Sequence, residues 1–328
     1  MAGIIERIRK SWSESDDKRD AGLTTPENIL RHDNLSYGSD GTWQKLDIYR
    51  PTDAGTSGTM AGTAVARTSG AAAGTSGPAE GTAGPALPVI VSVHGGAWVY
   101  GDKERYQFYC MDLARRGFAV VNFTYRLCPE FRFPAPLEDI DLVFRFIQEH
   151  AAEYGLDTGR VFAVGDSAGA HLLGLYLCTR SNPDFAGTLP FETCTSPAIR
   201  AAALNCGIYD TVAAYKLDPN MQEILKDFMP GGGSSAEQEQ LSVISHLSSG
   251  LPPLYVMSST DDFLKYQNPI LIRALCDKNV PFTFRLFASE GREEKLYHVF
   301  HLNIRSREAT ACNDEECNFF KGLCNARP

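Results

Sequence analysis

Ser167 sits between Gly165 and Gly169 in the run VFAVGDSAGAHLL (161–173), where a short apolar segment gives way to a helix-forming one. A serine hydroxyl becomes a useful nucleophile only when a base takes its proton, a third group holds the base, and donors receive the oxyanion. The G-x-S-x-G spacing supplies the frame for this. Val161 to Val164 read as a buried strand, and Ala168 onward as a helix with apolar residues three to four apart. A sharp turn between them would strain the serine backbone and push its hydroxyl out at the top of a sheet. Small residues on either side let strand and helix close on each other. The N–H groups at the helix start would face negative charge forming there.

The other partners must come from later in the chain, because in α/β-hydrolase sheets the order is serine, acid, histidine. SSTDDFL (258–264) follows the apolar run LYVMSS, and LYHVFH (296–301) follows the last strand-like run and a charged loop. Both fall at carboxyl ends of expected strands, where open α/β sheets carry their sites. The spacing leaves two choices open. Asp261 and Asp262 are adjacent and point differently, so one of them reaches the histidine; His298 and His301 are one helical turn apart, and either can be the base. His171, four residues after Ser167 on the same helix, reads as packing beneath the turn. The oxyanion donors are sought in VSVHGGAWVYGDK (91–103), where Gly95 and Gly96 let backbone N–H groups approach a substrate oxygen closely. The N–H of Ala168, after the nucleophile, would complete the hole.

Positioning these groups requires a sheet. LPVIVSVH (87–94), FAVVNFTY (118–125), RVFAVG (160–165), AAALNC (201–206), LYVMSS (254–259) and FTFRLF (282–287) read as strands, and QKLDIYRP (44–51) alternates like one more. Helical stretches fall near 104–116, 137–154, 168–180, 266–279 and 303–322. Alternation with nearly all-apolar strands predicts an α/β fold: a mostly parallel central sheet with helices on both faces. Residues 207–250 are too long for a simple crossover and contain MQEILKDFM followed by GGGSS, so they are expected to form a small helical cap. The amphipathic IIERIRKSW near the N-terminus either joins that cap or packs on the sheet. The expected organisation is one domain over 1–328, with 1–35 and 207–250 as cap elements. Residues 52–87, where Ala, Gly, Thr and Ser supply 28 of 36 positions and AGTSG occurs twice, are expected to be a mobile low-complexity insertion.

Composition narrows the partners. Hydrophobic residues make up 43% and charged residues 22%, ordinary globular values, and the formal net charge is −9. Lys and Arg form no stripe, so nucleic acid is not an expected partner. The N-terminus has no apolar core of a secretory signal, and no run of 18 apolar residues exists to span a membrane. Nine scattered cysteines make no disulfide framework, and the spacings of Cys312, Cys317 and Cys324 match no common zinc pattern. A cytoplasmic location is the expectation.

The motifs HGGAWVYGDK, YRLCPEFRFPAPLED (125–139), GDSAGAHL, DDFL and HVFH resemble those of the hormone-sensitive-lipase-type α/β hydrolases, most of all bacterial acetyl esterases and small carboxylesterases. The resemblance runs from about residue 35 to the C-terminus, excluding the insertion. It implies Ser167, Asp262 and His298 as the triad, since the family's acid precedes an aromatic or proline and a leucine, and its base precedes Val/Gly-Phe. The chain departs from the family's HGGG at Ala97. Implied is hydrolysis of short-chain acyl esters, acetyl to butyryl, including O-acetyl groups of sugars, with no metal or organic cofactor. The pocket would lie under the cap, lined by some of Trp98, Tyr100, Tyr209, Phe228, Met229 and Phe263. Two alternatives share the same residues: an amide- or formamide-cleaving hydrolase, and a non-catalytic protein that binds a small ligand. The sequence says nothing of oligomeric state.

Overall fold

The computed structural model describes residues 3–52, 85–217, 219–289, 291 and 295–324. Among these, eight strands form one sheet: β1 (Ile29–Ser36), β2 (Lys45–Pro51), β3 (Leu87–Val93), β4 (Ala119–Phe123), β5 (Leu156–Asp166), β6 (Ile199–Asn205), β7 (Leu254–Ser259) and β8 (Phe282–Phe287). Their order is β1-β2-β4-β3-β5-β6-β7-β8. β2 runs antiparallel to both neighbours, and the pairings from β4 through β8 are all parallel. This is the mostly parallel sheet expected from the apolar runs. Of the insertion read at 52–87, residues 53–84 lie outside the described residues.

Strand periodicity divides the apolar side chains between two cores. Val161 and Ala163 of β5 face one side, as do Val89 and Val91 of β3, while Phe162, Val164 and Ile90 face the other. The first face is covered by α3 (Ala135–Tyr154), α4 (Ala168–Ser181) and the helix Gln267–Asp277; α2 (Lys103–Ala114) and the C-terminal helix Arg307–Cys324 cover the second. α3 forms because Leu137, Ile140, Val143, Phe144 and Ile147 make one apolar stripe at helical spacing, and all five are buried. α2 begins where the Asp102 carboxylate accepts the Arg105 N–H at 2.8 Å, satisfying a first-turn donor.

The segment 1–35, read as a cap element, is divided. Its helix α1 (Ile4–Asp20) lies over the carboxyl end of the sheet, but residues from Ile29 belong to β1, the antiparallel edge strand. ILRHDNLS hides this assignment because an edge strand with one solvated face needs few apolar residues. Between β6 and β7 come the short helices Thr211–Leu217, Pro219–Phe228, Ser235–Leu241 and Val243–His246. The third opens on a capping box, in which Ser234 accepts the Glu237 N–H and the Glu237 carboxylate accepts the Ser234 N–H.

Candidate active site

Ser167 ends the β5 strand path and caps α4 with φ +52° and ψ −120°, a left-handed conformation that costs a non-glycine residue about 1–3 kcal/mol. The surroundings impose it. The Ser167 N–H donates to the Asn205 carbonyl at 2.9 Å, tying the turn to the end of β6. Gly169 lets α4 close on β3: a Cβ at this position would lie 2.0 Å from the Val93 carbonyl oxygen. These contacts force the hydroxyl outward.

Ser167 Oγ–H donates to His298 Nε2 at 2.9 Å, and His298 Nδ1–H donates to Asp262 Oδ1 at 2.7 Å. Asp262 is buried and also accepts the Leu264 N–H at 2.9 Å and the Ser258 hydroxyl at 2.7 Å. Burial alone would raise its carboxyl, but the hydrogen bond and charge of His298, with those two donors, hold it below the ordinary carboxylate range. The acid therefore stays ionised and fixes the imidazole so that Nε2 faces the serine. The neighbouring carboxylate, Asp261, turns away and accepts the Leu296 N–H at 3.0 Å. His301 is fully buried against Tyr109 and Phe300, with burial pushing its pKa down to about 3. His171 lies beneath the turn, taking the Trp98 indole N–H at 3.2 Å and donating to the Leu241 carbonyl at 2.8 Å. The two choices left open by spacing are thus separated by geometry.

The glycine loop departs from the sequence reading. Gly95, expected to offer an oxyanion donor, spends its N–H on the Tyr106 hydroxyl oxygen at 2.9 Å, and that hydroxyl donates to Asp166 at 2.7 Å. Gly96, Ala97 and Trp98 follow with φ of +119°, +51° and +62°. Gly96 is required here: a Cβ would stand 1.9 Å from the Tyr100 carbonyl oxygen. The N–H groups of Gly96, Ala97 and Ala168 donate to no protein group among the described residues. The free donors of the loop are therefore shifted one residue along, from Gly95 and Gly96 to Gly96 and Ala97.

Two connected hollows flank Ser167 and His298. One, of about 320 Å³, is lined by both polar and apolar side chains, Asp16, Arg19 and Tyr100 among the first and Val299 and Leu302 among the second. The other, of about 330 Å³, is lined by Ile4, Ile8, Met221 and Ile224 together with Arg7, Ser11 and Asn220. Trp12 and Phe263 border both. Of the expected pocket residues, Tyr100 and Phe263 are here; Phe263 is 63% exposed, with its ring 4.5 Å from that of His298. Trp98, Tyr209, Phe228 and Met229 are not. All four are fully buried: Trp98 stacks on Phe228, and the Tyr209 hydroxyl donates to the Leu204 carbonyl at 3.2 Å. Left-handed φ at Trp98 turns its side chain back into the core. The residues of α1 were missed because nothing in their sequence ties them to a serine 150 positions away. Their link is tertiary: Arg9 donates to the Val99 and Cys128 carbonyls at 2.7 and 2.9 Å, and Tyr100 donates to Asp16 at 2.8 Å.

A family model described as BD-FAE matches residues 78–273. The probable carboxylic ester hydrolase LipM of Mycobacterium tuberculosis is 28% identical over 239 residues, 71% of this chain and 48% of LipM. Esterase LipQ of the same organism is 30% identical over 184 residues, 53% of this chain and 42% of LipQ. The chain thus spans about half the length of these curated relatives. Among solved structures, esterase B from Lactobacillus rhamnosis superposes with a TM-score of 0.78 at 22% identity, covering 97% of this chain and 96% of that one. An esterase of Pyrobaculum calidifontis gives 0.72 at 19% identity, covering 99% and 95%. These likenesses establish the α/β-hydrolase fold.

Proposed function

Because the chain belongs to the BD-FAE family, within the hormone-sensitive-lipase type of α/β hydrolases, we propose that it is a serine carboxylesterase acting on short-chain acyl esters, acetyl to butyryl. The observation that carries this reading is the unbroken relay from Ser167 Oγ to His298 Nε2 and from His298 Nδ1 to Asp262, at 2.9 and 2.7 Å, open to hollows on both sides. The names of the relatives, esterase and carboxylic ester hydrolase, support the same class.

In the proposed reaction His298 takes the Ser167 proton as Oγ attacks the ester carbonyl, and Asp262 stabilises the imidazolium. The N–H groups of Gly96, Ala97 and Ala168 receive the oxyanion; one such donor is worth about 10²–10³ in rate. His298 then protonates the leaving alcohol, and water, deprotonated by the same imidazole, releases the acid from the acyl-enzyme. The hollow bordered by Ile4, Ile8, Met221 and Ile224 offers an apolar wall to the acyl chain. The hollow that holds Asp16 and Tyr100 also offers polar partners to a hydroxyl-bearing alcohol, and O-acetylated sugars are one source of such a substrate.

The test is hydrolysis of p-nitrophenyl acetate, butyrate, octanoate and palmitate, with acetate release from an acetylated sugar measured in parallel. The reading expects kcat/KM to fall with chain length and to vanish in Ser167→Ala. A folded wild type inert on every ester but active on formyl or acyl amides would move the assignment to an amidase; one inert on both would leave a ligand-binding protein.

A further inference from the structure

One nucleophilic side chain beside the relay is unused by the reaction. Cys206, just past β6, is fully buried with φ +51°, and its backbone N–H is fixed to the Met257 carbonyl at 2.7 Å. Its thiol, a carboxylate oxygen of Asp262 and a ring nitrogen of His298 all lie within 4.8 Å of one another. Cys206 and Asp262 stand just past the carboxyl ends of the neighbouring strands β6 and β7, and His298 comes after β8. Thiolate, imidazole and carboxylate are the donor set of zinc, and a thiolate disfavours magnesium and calcium, which take oxygen ligands.

We propose that Cys206, Asp262 and His298 form an inhibitory site for a soft divalent cation of the zinc type, which shuts the hydrolase by seizing its own acid–base pair. As inhibition, this rests on the esterase reading; as binding, it stands without it. Zinc bonds of about 2.0–2.3 Å place tetrahedral ligands roughly 3.3–3.7 Å apart. The His298–Asp262 contact of 2.7 Å must therefore open slightly and the thiol move in from within 4.8 Å, shifts on the scale of one side-chain adjustment. Of the three, only His298 is part-exposed, so the ion enters from its side. The proton balance is simple. The Cys206 thiol, which burial and the adjacent Asp262 carboxylate keep protonated in the metal-free protein, releases its proton to solvent as the metal takes the sulfur, and the imidazole proton moves from Nδ1 to Nε2 as the metal takes Nδ1. An imidazole protonated at Nε2 cannot accept the Ser167 proton, so acylation stops although the serine itself is untouched.

The test measures zinc binding by competition with a chromophoric chelator, and zinc inhibition of ester hydrolysis relative to each variant's own metal-free rate. Magnesium serves as the negative control and cadmium as a second probe. Wild type and Ser167→Ala should bind one zinc at this site with equal affinity, because the serine is not a ligand. Cys206→Ser and Cys206→Ala should each bind roughly 100-fold more weakly or worse, at or beyond the loss seen when only a supporting residue of a metal site is removed, with inhibition shifting in step. Cys276→Ser, which alters the exposed cysteine, should change nothing. In wild type, cadmium should bring a thiolate-to-metal absorption band, a readout that needs no variant to fold. Wild-type binding that is absent, or unchanged in a folded Cys206 variant, overturns the inference. Active enzyme without this site defeats the inference alone, whereas zinc binding that depends on Cys206 in an enzyme inert on esters defeats only the esterase reading.

Discussion

Replacing Asp166 by asparagine should stabilise this protein at alkaline pH and not at acid pH. Asp166 directly precedes the nucleophile and is 2% exposed. Burial pushes its carboxyl up to about 7, against the pull of the Tyr106 hydroxyl and the charge of His298. An unfolded aspartate titrates near about 3.9, so between about pH 4 and 7 the folded chain holds a proton that the unfolded chain has lost. Stability then falls as pH rises through that window and levels off above the folded pKa. The gap is about three powers of ten in proton affinity, each worth about 1.4 kcal/mol, which sets a ceiling of about 4 kcal/mol. Asp166→Asn removes the ionisation. At pH 5 it should cost about 1 kcal/mol, because amide donors enter a site built for an acceptor. At pH 8 it should be the more stable protein by about 1.5 kcal/mol, because the wild type loses about 2.6 kcal/mol between pH 5 and 8 on the same arithmetic. Glu316, also raised to about 7 by burial, adds a parallel slope to both proteins that cancels to first order in the difference. The assay is urea denaturation of both proteins at pH 5, 6.5 and 8. A stability difference that does not change with pH would refute the buried, raised carboxyl.

Gly96→Ala should reduce kcat by about 10²–10³, the worth of an oxyanion donor, because its Cβ would meet the Tyr100 carbonyl 1.9 Å away and move the loop; steady-state kinetics on a folded variant checks this. Asp262→Asn should leave the fold intact and lower kcat by about 10⁴, the size of the matching change in other serine hydrolases; an active-site titration separates lost rate from lost protein. Tyr106→Phe strands the Gly95 N–H and the Asp166 carboxyl. It should cost about 1–3 kcal/mol in denaturation and lower kcat while leaving KM nearly unchanged.

What was legible in the sequence is what local geometry demands. Gly165-x-Ser167-x-Gly169 and the His94-Gly95-Gly96 loop announced themselves because close backbone approach and left-handed φ restrict residue type. LYVMSS was bounded correctly, as Leu254–Ser259, because this strand is buried along its length; FTFRLF, Phe282–Phe287, is legible by its aromatic and β-branched residues even though it forms the far, part-exposed edge of the sheet. What was not legible depends on which way a side chain turns. Trp98 and Tyr209 are the right type for a pocket, yet both are turned into the core, Trp98 by its left-handed φ. Gly95 has the right type and position for a donor, but its N–H is claimed by a tyrosine eleven residues on. Asp16 and Trp12 reach the site only through the docking of α1, and β1 escaped notice because a solvated edge strand carries no apolar run.

The central claim, that Ser167 is the nucleophile of this fold, is tested most directly by treating the protein with a fluorophosphonate and measuring intact mass, followed by peptide mapping. Wild type should gain a single adduct at Ser167, Ser167→Ala should gain none, and His298→Ala should react far more slowly. A folded wild type that stays unlabelled, or carries its adduct on another serine, would contradict the account.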